Sequence, residues 1–107
     1  MRRLPVVYAD SAITDLWNLT EYIAIAAGSY LVATRFVDRI EARIKKIENA
    51  PLGGRDRSDL KPGLRTIPFE RSAVVAYFVE SDAIIVTNIF YGGQDFEAIL
   101  IEENQSH

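Results

Sequence analysis

The sequence predicts an α+β domain in the order β-α-α-β-β-β, a helical hairpin packed on a mainly antiparallel four-stranded sheet and followed by a short C-terminal helix. Three observations predict it. Residues 12–47 carry apolar positions at three- and four-residue spacing, interrupted once by Gly28-Ser29. Residues 64–91 hold three short runs rich in β-branched and aromatic side chains, parted by turn-forming residues. At 107 residues the chain suffices for one compact domain, and no linker, repeat or low-complexity tract divides it.

Leu4 to Ala9 reads as a first strand, with Pro5 near its start where proline is tolerated. Asp10 or Ser11 is placed to cap the helix that follows. In that helix Ile13, Leu16, Trp17, Ile23 and Ala27 recur at helical spacing, and Gly28 suits a left-handed helix end. The second helix sets Ala33, Phe36, Val37, Ile40, Ile44 and Ile47 on one face. Arg35, Asp38, Arg39, Arg43, Lys45 and Lys46 lie on the other, basic toward the C-terminus as the helix dipole favours. Asn49-Ala50-Pro51 ends it.

Residues 52–63 read as a polar loop of alternating charge, closing on Pro62-Gly63. Leu64 to Glu70 is a strand whose Pro68 predicts an edge or a bulge. Ala73 to Val79 and Ala83 to Tyr91 are joined by a turn at Glu80-Ser81-Asp82. Neither run alternates cleanly, which places both mid-sheet with two covered faces. Gly92-Gly93 ends the sheet, and Asp95 caps a helix from Phe96 to about Glu103.

Composition narrows the chemistry. Without cysteine the chain has no disulfide, thiolate nucleophile or Cys-based zinc site, and its single histidine is the terminal His107. Serines at 11, 29, 58, 72 and 81 lack a base partner, the carboxylates show no ligand spacing, and neither diglycine has the context of a phosphate loop. No catalytic triad, metal or cofactor is expected. Apolar runs fall short of the roughly 20 residues of a membrane span and no signal-peptide core is present, so the expected location is the cytoplasm. Net charge is −3, unevenly spread: residues 35–71 carry ten basic against six acidic residues, whereas residues 72–107 carry six acidic and none basic. That balance is poorly suited to gripping nucleic acid through many phosphates.

One catalytic arrangement survives. Arginines and a tyrosine can promote attack by an RNA 2′-hydroxyl, and Arg55, Arg57, Lys61, Arg65 and Arg71 with Tyr77 or Tyr91 are the candidates. No Lys or Arg follows Arg71, and that omission counts against it.

Several pieces then fall into one order: Ala12-Ile13-Thr14-Asp15-Leu16, Tyr22-Ile23-Ala24, Pro51, Gly54-Arg55, Asp59-Leu60, Pro62-Gly63-Leu64-Arg65, Val75-Ala76-Tyr77 and Ile89 to Asp95. Together they resemble the ParE branch of the ParE/RelE toxins of bacterial type II toxin–antitoxin pairs, over nearly the whole chain. The resemblance implies a toxin that inhibits DNA gyrase by binding and is neutralised by a ParD-like antitoxin. A RelE-like, ribosome-dependent mRNA endonuclease is the alternative. The chain departs from the family at Gly93-Gln94, where many ParE-like sequences carry a basic pair. Expected target contacts are Arg55, Arg57, Arg65, Arg71, Tyr91 and Asp95. Trp17 and Tyr30 are the expected antitoxin anchors, since aromatic side chains dominate interface hot spots.

Overall fold

A computed structural model describes residues 3–105, so His107 lies outside the described residues. The order is β1 (Val6–Tyr8), α1 (Asp10–Ala27), α2 (Tyr30–Lys45), β2 (Arg55–Asp56), β3 (Arg65–Phe69), β4 (Ala73–Val79), β5 (Ile84–Tyr91) and α3 (Phe96–Gln105). Two 3-10 turns, Lys46–Asn49 and Pro51–Gly53, lie between α2 and β2.

The sheet has five strands rather than four, in the order β1-β5-β4-β3-β2. The extra strand, β2, is two residues inside the segment read as a loop. Its pairing with Arg65 and Thr66 comes from the turn at residues 57–64, not from any periodicity of its own. β1 runs parallel to β5 while every other pair is antiparallel, so the sheet is mixed. The direction of β1 is set by its neighbour far along the chain, and local sequence carries no trace of it.

α1 begins without the expected side-chain cap. Ala9 holds the cap position and is still in the ladder, donating its N–H to the Val86 carbonyl. Ser11 Oγ instead donates to the Thr87 carbonyl. At the other end Gly28 takes φ +66°, and Ser29 Oγ caps α2 by accepting from the Val32 N–H at 3.2 Å. The reversal between the helices thus rests on one left-handed glycine and one hydroxyl.

The hairpin buries Ala12, Leu19, Phe36, Ile40 and Ile44 against Ile67, Val75, Tyr77, Ile84, Val86 and Ile89 on one sheet face. The opposite face, with Ala76 and Phe90, meets Leu60, Leu64 and Leu100 of the 57–64 turn and α3. β4 and β5 are therefore covered on both sides, which is why their sequences do not alternate.

A register shift between Ala76 and Tyr77 leaves Thr87 as an extra residue on β5. Beyond the end of β1, Asp15 takes its place beside β5 by accepting the Ile89 N–H at 2.8 Å. Both sheet edges are blunted. On β1 the Val6 N–H donates to the Glu48 carboxylate at 3.0 Å. On β3, Leu64 accepts from the Arg57 N–H, so even-numbered residues turn their backbone groups outward toward β2. Pro68 falls on that side beyond the end of β2, where it removes no ladder bond.

Candidate partner-binding surfaces

The basic middle of the chain does not form one patch. Arg57 is 7% exposed. It donates to both oxygens of Asp59 and to Glu97 of α3, and its guanidinium lies 6.0 Å from the Phe96 ring centre. Those bonds, Asp59 first, push the guanidinium further up from an already high value, and Arg57 holds the Asp59 carboxyl below its usual range. Lys61 adds a second tie to α3 through Glu103 at 3.1 Å. Arg65 turns toward the 3-10 turn, where its Nη1 donates to the carbonyls of Leu52 and Gly54 at 3.1 and 2.9 Å. Arg57 and Arg65 thus face inward as structural cations. Among the described residues Arg55 and Arg71 form no side-chain hydrogen bond or ion pair, and both are exposed.

The two tyrosines differ in how far the fold commits them. Tyr77 is fully buried: its hydroxyl accepts the Gly54 N–H and donates to the Pro51 carbonyl, both at 2.9 Å. Burial pushes its phenol above the ordinary value despite the Gly54 bond. Tyr91 packs on Tyr22 with ring centres 5.2 Å apart, and burial raises it likewise. Asp95 caps α3 by accepting the Ala98 N–H at 3.1 Å. Among the described residues Arg71 and Tyr91 line one depression, and none of the other candidates joins them there.

The outer side of the helical hairpin is a different surface. Trp17 is 68% exposed and Tyr30 62%, with Ile13, Tyr22, Ile25, Leu31 and Val32 also open. Ile13, Leu16, Trp17, Thr20, Val37 and Glu41 line a shallow groove of about 290 Å³ between α1 and α2. Tyr30 stands at the corner joining the helices, its hydroxyl donating to Glu21 at 3.0 Å. Trp17 and Tyr30 thus share one face of the hairpin, away from the arginines. Spacing alone grouped Ile13, Leu16, Trp17, Ile23 and Ala27, but at 100° per residue Ala12, Leu16, Leu19 and Ile23 form the core side. Ile13 and Trp17 are rotated from its centre by roughly 90° and 130°. Their own spacing of four residues was the available signal.

Among the described residues no helix is long and apolar enough to cross a membrane. A solved structure titled as the chromosomal ParDE toxin–antitoxin system from P. aeruginosa superposes with a TM-score of 0.73 at 21% identity, over 83% of this chain and 96% of that one. The family model described as the ParE toxin of the type II toxin–antitoxin system parDE matches residues 6–96. Toxin ParE3 of Caulobacter vibrioides is 35% identical over 69 residues, covering 64% of this chain and 68% of that protein. The chain belongs to the ParE family of toxins.

Proposed function

We propose that this toxin disables DNA gyrase by binding it, without catalysing a reaction, and is silenced by a ParD-like antitoxin laid over the helical hairpin. The observation that carries the reading is the apolar band around Trp17. A free monomer that exposes this much contiguous aromatic and aliphatic surface is an aggregation hazard, and a dedicated partner removes the hazard. An amphipathic helix or extended tail with its apolar side against Ile13, Leu16 and Trp17 matches the groove between α1 and α2. Binding rather than cleavage is supported by the engagement of Arg57, Lys61, Arg65 and Tyr77 in the fold, which leaves only Arg55, Arg71 and Tyr91 of the endonuclease candidates outside it.

The test is supercoiling by purified gyrase with the toxin added, with and without antitoxin. Inhibition relieved by antitoxin is expected. Unimpaired supercoiling at micromolar folded toxin, together with ribosome-dependent cleavage of mRNA, would overturn the reading.

A further inference from the structure

α3 covers the second sheet face only in part. Between the start of α3 and the β3–β4 hairpin two depressions, of about 300 and 230 Å³, share Pro68, Val74 and Phe96 as a common floor. Arg71 stands on the wall of the first and Arg55 on that of the second. No Asp or Glu lines either one, although the neighbouring α3 is acidic. Arg71 in one depression and Arg55 in the other, the latter beside Arg57 and within electrostatic reach of Asp59, thus flank one furrow with an apolar floor. Arg55 faces Thr66, and the three steps from Thr66 to Phe69 cover about 10 Å before the turn that carries Arg71.

The turn is itself strained. Glu70 and Arg71 take φ +47° and +59°, and the Ser72 N–H closes onto the Phe69 carbonyl at 3.0 Å. Two successive positive φ values are the requirement of a type I′ turn, normally met by Asn-Gly. Here two large side chains occupy it instead. Glu70 has a visible use, a bidentate pair with Arg39 of α2 at 2.8 and 2.9 Å. Arg71 has none inside the fold, so the strained backbone serves to aim an unpaired guanidinium at the furrow.

We propose that this furrow is where the toxin grips its target, and that it takes an extended acidic–apolar segment of the target protein. Two carboxylates about four residues apart reach Arg55 and Arg71, and apolar side chains between them rest on Pro68, Val74 and Phe96. The inference rests on the binding reading above. Nucleic acid is a poorer occupant: beyond Arg55, Arg57 and Arg71 the two depressions offer no further cation for successive phosphates. The furrow lies on the sheet face opposite the hairpin, so an antitoxin seated around Trp17 leaves it open.

Two arms test this. The first titrates the labelled toxin with the blocked peptide Asp-Leu-Val-Leu-Glu, its Asn/Gln counterpart and pentauridylate, following backbone amide shifts. Shifts confined to residues 55, 66–74 and 96, seen with the acidic peptide and about tenfold weaker in Arg55→Ala or Arg71→Gly, are expected. No shift at millimolar acidic peptide, or preference for the oligonucleotide, overturns the proposal. The second measures gyrase and antitoxin binding by the same variants. Arg71→Gly is expected to be at least as stable as the parent, because glycine relieves the turn, yet about tenfold weaker toward gyrase with antitoxin affinity kept. Variants as potent as the parent on gyrase overturn the proposal. A parent that never binds gyrase sinks the gyrase reading alone, and the peptide arm still decides the furrow.

Discussion

Replacing Trp17 with alanine separates a partner-binding role from a core role. An aromatic side chain offers about 150–250 Å² to a partner. With 68% of Trp17 open to solvent, roughly 100–170 Å² is left to bury at an interface. At about 25 cal/mol per Å² that area contributes roughly 2.5–4 kcal/mol. Ordering the side chain costs about 0.5–1.5 kcal/mol of it. A loss of about 1–3.5 kcal/mol remains, or about 5- to 300-fold in antitoxin affinity. Fold stability is expected to change by no more than about 0.5 kcal/mol, as for other surface substitutions. By contrast Leu19→Ala, in the core face of the same helix, is expected to cost about 2–5 kcal/mol of stability. Trp17 is the sole tryptophan, so its emission reports directly on docking. Calorimetric titration of parent and variant with antitoxin gives the affinities. An affinity within threefold of the parent, with parent emission unmoved at saturation, refutes the reasoning.

Four further outcomes follow from the interior. Tyr77→Phe is expected to lower stability by about 1–3 kcal/mol in denaturant melts, because the Gly54 N–H and Pro51 carbonyl lose their shared hydroxyl. Gly54→Ala is expected to destabilise as well, since an added Cβ would overlap the same phenol. Arg57→Ala releases Asp59 and Glu97 at once, so the amides of α3 are expected to exchange faster than those of the sheet; uniform protection would contradict the clasp. Asp15 has a folded pKa raised above 3.8, chiefly by burial, against the bonds from Ile89 and Asn88. Its contribution is therefore full below the unfolded value and lost as pH rises through the folded one. Asp15→Asn keeps an acceptor for the Ile89 N–H without the charge. Its stability relative to the parent is expected to rise as pH climbs above 3.8, and a flat difference would exclude the mechanism.

What could be read in advance was whatever a local pattern encodes. Ala73–Val79 was bounded correctly, because a continuous apolar run between turns has few alternatives. Gly28-Ser29 marked the break between helices because only a residue at ease with positive φ ends a helix that way. What escaped was decided at long range. β2 exists only because β3 lies beside it, and β1 is parallel only because β5 is its neighbour. Ser11 and Asp15 could not be assigned, since their partners on β5 stand more than 70 residues away at a bulge. The left-handed Glu70-Arg71 turn was invisible for the opposite reason: its residue types argue against it.

The arginines show why a charge counted along the chain differs from a charge available to a partner. Residues 35–71 looked like one basic surface. Folding pairs Arg39 with Glu70, Lys45 with Glu48, Arg57 with Asp59 and Glu97, and Lys61 with Glu103, and it turns Arg65 onto two carbonyls. Three of those carboxylates come from the expected neighbourhood, but Glu97 and Glu103 belong to the acidic end, so α3 neutralises the middle by docking on it. Two pairs, Arg57 with Glu97 and Lys61 with Glu103, thus turn part of the opposite charge of the two segments into an internal clasp. Arg35, Arg43, Lys46, Arg55 and Arg71 make no ion pair among the described residues, and of these five Arg55 and Arg71 line the furrow. The proposed furrow selects a partner by where its carboxylates stand relative to Arg55 and Arg71, a geometric demand that a polyanion's evenly spaced charges do not meet.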